Sequence, residues 1–162
     1  MFLVTFPGIT TIHSGQGFSR SKLIPTDSRI KDDEQSQLDH NSYNKDNETN
    51  WLSWDEKELN SDLVDYYKGL IQLRKKYSEF RHSEPGDFDF IDVGEHIALA
   101  YILQDKFIVA MNGDSKNELE IDLPDGDWKI LVDGESIYFD NKEIITEQFS
   151  VKPTSGIVLI KN

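Results

Sequence analysis

The apolar residues of this chain change period once, near residue 85, and that change constrains the fold more than any other feature. Before it, Leu63, Tyr66, Tyr67, Leu70, Ile71, Leu73 and Tyr77 recur near i, i+3, i+4 and i+7. That spacing predicts a helix over 61–78. Asn60 or Ser61 can cap its start. Asp62 and Asp65 lie near its N-terminus and Arg74, Lys75 and Lys76 near its C-terminus, as the helix dipole favours. After residue 85 the period is 2. Short strands are predicted at His96–Leu103, Phe107–Asn112, Glu118–Leu123, Trp128–Val132, Ser136–Phe139, Gln148–Val151 and Ile157–Ile160. Turn signals separate them: Gln104-Asp105, Asn112-Gly113-Asp114, Pro124-Asp125-Gly126, Asp133-Gly134 and Thr154-Ser155-Gly156. Strands this short and close together predict an antiparallel sandwich. Leu119, Ile121 and Leu123 alternate with Glu118, Glu120 and Asp122, so that strand should have one wet face.

The first 60 residues differ in character. Residues 1–22 are apolar and β-branched around Ile9–His13, which predicts one buried strand followed by a Gly15-Gln16-Gly17 loop. A lone buried strand needs partners for its backbone groups. Residues 23–60 are polar and rich in Asp, Asn and Ser, with no apolar period. A loop of that length is usually functional or disordered. Its Asp32-Asp33-Glu34 run is expected to be a solvated face. The loop ends in Ser53-Trp54-Asp55-Glu56, the pattern of a capping box at the start of a short helix.

Composition removes several function classes. The net charge of −13 makes phosphate backbones and anionic lipid poor partners, so neither nucleic acid nor a membrane surface is expected. With no Cys, there is no disulfide, thiolate nucleophile, Fe–S cluster or Cys-type zinc site. No stretch has the roughly 20 apolar residues of a membrane span. Pro7-Gly8 cuts the opening apolar run short and no basic residue precedes it, so no signal peptide is expected. The compartment stays open: a soluble bacterial protein, cytoplasmic or secreted.

Few residues suggest chemistry directly. His13, His40, His82 and His96 show no metal-ligand spacing. Asn44 to Glu48 alternates oxygen ligands as a calcium loop does, but Thr49 stands where that loop needs Gly. Ser42 and Thr10-Thr11 lack a nucleophile setting. No metal and no cofactor is expected. Asn47-Glu48-Thr49 is a glycosylation sequon, relevant only in a eukaryotic secretory setting. Trp51 and Trp54, beside an Asn-rich loop, either pack the loop down or stack on sugar rings. Trp128 opens a strand and is expected in the core.

Longer stretches carry a resemblance. Gly8-Ile9-Thr10-Thr11-Ile12-His13-Ser14-Gly15-Gln16-Gly17-Phe18-Ser19-Arg20-Ser21-Lys22 resembles the last barrel strand of glycoside hydrolase family 13, the α-amylase family. The debranching members, the type I pullulanases, are the nearest in pattern. His40-Asn41-Ser42-Tyr43-Asn44 with Asn50 and Trp54 is similar to a further stretch of those enzymes, and Leu73-Arg74-Lys75 to their final barrel helix. Gly17 stands where the family almost always has Glu. Thr10 replaces a Pro, and Ser53 replaces an Asp.

The resemblance implies an α+β fragment: the last strand and last helix of a (β/α)8 barrel, followed by an antiparallel all-β sandwich. The implied domains are 1–80, the end of the barrel, and 81–162, the sandwich. The family's three catalytic carboxylates lie on earlier strands, so no catalytic residue is expected here. The implied activity of an intact enzyme is retaining hydrolysis of α-1,6 links in α-glucan. Tyr43, Asn44, Asn47, Asn50 and Trp51 are the implied substrate-binding residues. The implied partners are α-glucan and the missing barrel portion of a parent chain. A non-catalytic carbohydrate-binding or structural β-sandwich module is the alternative.

Overall fold

The computed structural model describes residues 1–25, 37–140 and 143–162. The Asp32-Asp33-Glu34 run therefore lies outside the described residues. The chain forms two compact units, one of Met1–Thr11 with Lys68–Asn162 and one of Ile12–Tyr67.

The first unit is built on antiparallel strands β1 (Phe88–Ile91), β2 (Ala98–Leu103), β3 (Phe107–Asn112), β4 (Leu119–Asp122), β5 (Trp128–Val132), β6 (Gln148–Val151) and β7 (Ser155–Lys161). Five of them form a sheet in the order β1-β2-β3-β7-β5, and β4 pairs with β6 in a second sheet. Side chains alternate between two faces along β2, β3 and β7, and the β5–β7 register shifts between Ile130 and Val132. Ala100, Ile108, Ala110, Ile157 and Leu159 of the large sheet join Trp128 and pack with Leu119, Ile121 and Val151 of the small one. That is the interior of a sandwich. β4 is buried at every second residue, as its alternation predicted. Trp128 is in the core, and its indole N–H donates to the Pro124 carbonyl at 2.9 Å.

The intervening residues of the large sheet point the other way, and they too are buried: Tyr101, Leu103, Phe107, Val109 and Val158. This second face is covered by residues in and just beyond helical segments. Phe80, in the single turn Glu79–His82, lies 4.7 Å centroid to centroid from Phe107, and Tyr77 lies 5.1 Å from it. On β2, Tyr101 meets the Phe6 ring edge-on at 6.2 Å and donates its hydroxyl to the backbone and side-chain oxygens of Thr5 at 3.3 Å. Coverage on both faces explains why β3 reads as a continuous apolar run, Phe-Ile-Val-Ala-Met.

Four sequence expectations are corrected, three of them in strands. Ile9–His13 is not a strand, and Ile9 is fully exposed. Among the described residues no strand pairs with it. The carbonyls of Val4, Phe6 and Gly8, just before it, accept instead from the Arg74 guanidinium. The chain enters through one helical turn, Phe2–Thr5. Ser136–Phe139 makes only a single bridge, Ile137 to Val132. Asp133 Oδ1 accepts from the N–H groups of Glu135 (2.8 Å) and Ser136 (2.7 Å) and curls the chain into a turn there. Finally, strand β1 lies ahead of the first predicted strand.

The second unit holds a short helix, Trp54–Leu59, and the first part of the long helix Ser61–Lys76. The predicted capping box does not close. Ser53 sits at the N-cap without a side-chain bond, and the Glu56 carboxylate accepts instead from the Ser21 N–H at 3.1 Å and from the Ser21 hydroxyl. A capping box does close elsewhere, between Glu84 and Asp87.

Candidate functional site

The second unit contains the five residues proposed for substrate contact, and its local folding begins with a clamp. Leu23 bridges Leu38 in antiparallel fashion. The Ile24 N–H donates to the Gln37 carbonyl and the Asp39 N–H to the Lys22 carbonyl, each at 2.8 Å. Beyond the clamp, Asp39 turns the chain: its Oδ1 accepts from the Asn41 N–H at 2.9 Å, and its Oδ2 pairs with Lys45. The hydrogen bond from Lys45, followed by that from Asn41, holds the Asp39 carboxyl below its usual range.

Asn50 fixes the remainder of the loop. Its Oδ1 accepts from the Ser42 hydroxyl (2.9 Å) and from Arg20 Nη2 (3.3 Å), and its Nδ2 donates to the carbonyls of Ser42 and Lys45 (2.6 Å each). An amide has two donors and two acceptor sites, so Asn50 is saturated within the loop. Its bonds bracket Tyr43 and Asn44 and force them outward. Tyr43 is 84% exposed, and Asn44 is exposed beside it. Asn47 precedes one 3₁₀ turn, Glu48–Asn50, and its buried Oδ1 has no hydrogen-bond partner. Trp51 and Trp54 are each 63% exposed. Trp54 leans on Phe18 at 6.0 Å, with the Lys57 amine 5.8 Å over its ring.

The structure thus gathers the predicted residues into one loop with two roles. Tyr43, Asn44 and Trp51 are presented, while Asn50 spends its side chain on holding them. Composition did not show the bracing residues Arg20, Lys22 and Ser42. Lys22 donates to the Ser42 hydroxyl oxygen at 3.0 Å. That pair resembles a Ser–Lys dyad, but Ser42 is 3% exposed and its proton goes to Asn50. It is a brace, not a nucleophile. The four histidines are all exposed, and no group of three or more His, Asp and Glu among the described residues is placed to hold a metal ion.

No protein-family model matches the chain. A curated pullulanase from Bacillus subtilis (strain 168) is 31% identical over 149 residues, covering 85% of this chain and 19% of that protein. The pullulanase structure from Bacillus acidopullulyticus superposes with a TM-score of 0.81 at 22% identity, covering 98% of this chain and 19% of that one. The chain is similar to part of a pullulanase. A pullulanase from Anoxybacillus sp. LM18-11 complexed with maltotetraose gives a TM-score of 0.73 at 24% identity, over 99% of this chain and 22% of its own. The type I pullulanase of Bacillus subtilis complexed with maltose gives 0.71 at 24%, over 98% and 22%. The chain spans about a fifth of the length of the pullulanases it matches. The α+β architecture with antiparallel sheets is that of the matching pullulanase regions.

Proposed function

We propose that this chain is the C-terminal portion of a pullulanase-like glycoside hydrolase, and that the exposed face of the loop Asn41–Trp51 contacts α-glucan. The observation carrying this reading is the match itself: nearly the whole chain superposes on about a fifth of several pullulanases. Residues 1–80 correspond in this proposal to the end of a (β/α)8 barrel and 81–162 to the appended sandwich. The parent reaction is retaining cleavage of α-1,6 links by a carboxylate nucleophile and a second carboxylic acid. Those carboxylates belong to the rest of the parent, so the chain alone is inactive. The rest of the barrel is its protein partner.

Within the loop, Tyr43 and Trp51 offer faces to sugar rings and Asn44 offers an amide to hydroxyls. Asn47 borders them, and Asn50 keeps the set in place. Two assays test this. Reducing ends released from pullulan should be absent with the chain alone. They should appear when it is mixed with Bacillus subtilis pullulanase lacking the matching stretch. Activity of the chain alone refutes the missing carboxylates. In pullulan-containing gels the chain should be retarded, and Tyr43→Ala and Trp51→Ala should migrate faster than the parent. Equal mobility of all three removes the glucan contact.

The exposure of three aromatic rings, Tyr43, Trp51 and Trp54, favours a second reading as a non-catalytic carbohydrate-binding module. That reading is selected if the gel shows retardation but mixing yields no hydrolysis.

A further inference from the structure

Beside the loop, and wholly within the second unit, lies a depression of about 330 Å³ lined by His13, Ser14, Gln16, Ser19, Arg20 and Lys22. Three of these six residues bear or can take a positive charge and none is acidic, in a chain of net charge −13. Among the described residues, the bonds that anchor the cations are to neutral oxygens. Arg20 Nη1 donates to the Ser14 carbonyl and Nη2 to Asn50 Oδ1, each at 3.3 Å, and Lys22 donates to the Ser42 hydroxyl. Among the described residues, the Glu56 carboxylate accepts from Ser21 and that of Asp39 pairs with Lys45. Arg20 Nε is buried and has no acceptor. A buried guanidinium N–H without a partner costs free energy that an incoming acceptor recovers.

We propose that this depression is an oxyanion site that takes a phosphate group, free or esterified to a sugar. A tetrahedral oxyanion matches the chemistry of the wall. Arg20 contributes planar donors suited to paired oxygens, Lys22 a compact cation, and Ser14, Ser19 and Gln16 neutral donors at the rim. The site is separate from the glucan-contacting loop face and does not depend on a hydrolase parent.

The test is a ¹H–¹⁵N NMR titration of the full chain with sodium phosphate, with glucose 6-phosphate, and with sodium chloride at matched ionic strength. Saturable shifts of the Arg20 Nε–H resonance with either phosphate compound, absent with chloride, are expected. Tighter binding of glucose 6-phosphate identifies the ester as the ligand, and tighter binding of inorganic phosphate identifies the free ion. Arg20 braces Asn50 and Lys22 braces Ser42, so the mutational arm uses His13→Gln together with Lys22→Gln, which loses the charge but keeps an amide donor for the Ser42 hydroxyl. Lys22→Gln should weaken phosphate binding about tenfold, since it removes a charged donor. Shifts that are linear in concentration, identical with chloride, or unchanged in both variants overturn the proposal. A maltotriose titration keeps the two ideas apart, because a glucan effect on Trp51 leaves the phosphate result untouched.

Discussion

Replacing Arg74 should undo the covering of one face of the five-stranded sheet. Its Nη1 donates to the carbonyls of Val4 and Phe6 at 2.9 Å and also to that of Phe80, and its Nη2 donates to that of Gly8. One guanidinium thereby fastens the entering segment and the Glu79–His82 turn to the long helix. Desolvation by the same packing, and then the charge of Arg81, lower the pKa of Arg74. The segment it fastens carries Thr5 and Phe6, which cover Tyr101. Hydrogen bonds from charged donors contribute about 1.5–3 kcal/mol each when buried. Arg74 is only half-buried, so each of its four is taken at about 1 kcal/mol after screening. Non-additivity reduces the total to about 3 kcal/mol. With a urea slope of about 1–3 kcal/mol/M, Arg74→Ala should lower the unfolding midpoint by about 1–3 M. Arg74→Lys keeps the charge but concentrates its donors on one atom, so it should recover less than half of that loss. Native-state hydrogen exchange should show the amides of residues 99–103 losing protection in Arg74→Ala. A midpoint within 0.3 M of the parent, with protection intact, would refute the argument that this side chain holds the face closed.

Three further outcomes follow from the same structure. Asn50→Asp turns two donors into acceptors facing the Ser42 and Lys45 carbonyls. It should release the 41–50 loop to limited proteolysis, whereas proteolysis no faster than in the parent would show the amide is dispensable. The β2–β3 turn holds Gln104 and Asp105 at φ of +51° each. Asp105→Gly should therefore stabilise the chain by about 0.5–1 kcal/mol in thermal melts, and a lower melting temperature would contradict it. Burial, offset in part by the hydrogen bond to Thr5, pushes the Tyr101 phenol up to about 12. A folded-state pKa above the unfolded value near 10 gives stability that is intact below pH 10 and lost as pH rises toward 12. Tyr101→Phe should remove that component of the alkaline slope, so parallel pH profiles for the two proteins would refute it.

What could be read from the sequence follows the range of the forces involved. The helix Ser61–Lys76 carries its own periodicity and end charges. Strands β3, β5 and β6 were predicted with their observed bounds, because alternation and flanking turns are local signals. β1 escaped because it is a sheet-edge strand with a weak burial pattern, Asp89 and Phe90 both being exposed. Ile9–His13 misled because an apolar run announces burial without naming what will bury it. The loop was visible as an oddity of composition. Its division into displayed and bracing residues was not, since that rests on Arg20 meeting Asn50 across 30 positions. Asn44 and Asn50 are identical as letters, and only the contacts of Asn50 with Arg20, Ser42 and Lys45 separate their roles.

The order in which the two units use the chain has a consequence for how the loop can vary. Residues 12–67 form a detour that leaves the sheet-bearing unit after Thr11 and returns at Lys68. The sheet-bearing unit itself draws the two ends of that detour together, since Arg74 grips the segment just before the departure. Closing a loop costs only slightly more as it grows, about 0.6 kcal/mol per doubling. The part of the detour ahead of the long helix can therefore lengthen or shorten at little cost in closure entropy. A single cut within it should leave the first eleven residues attached to the sheet without a covalent link, as a stable two-chain assembly.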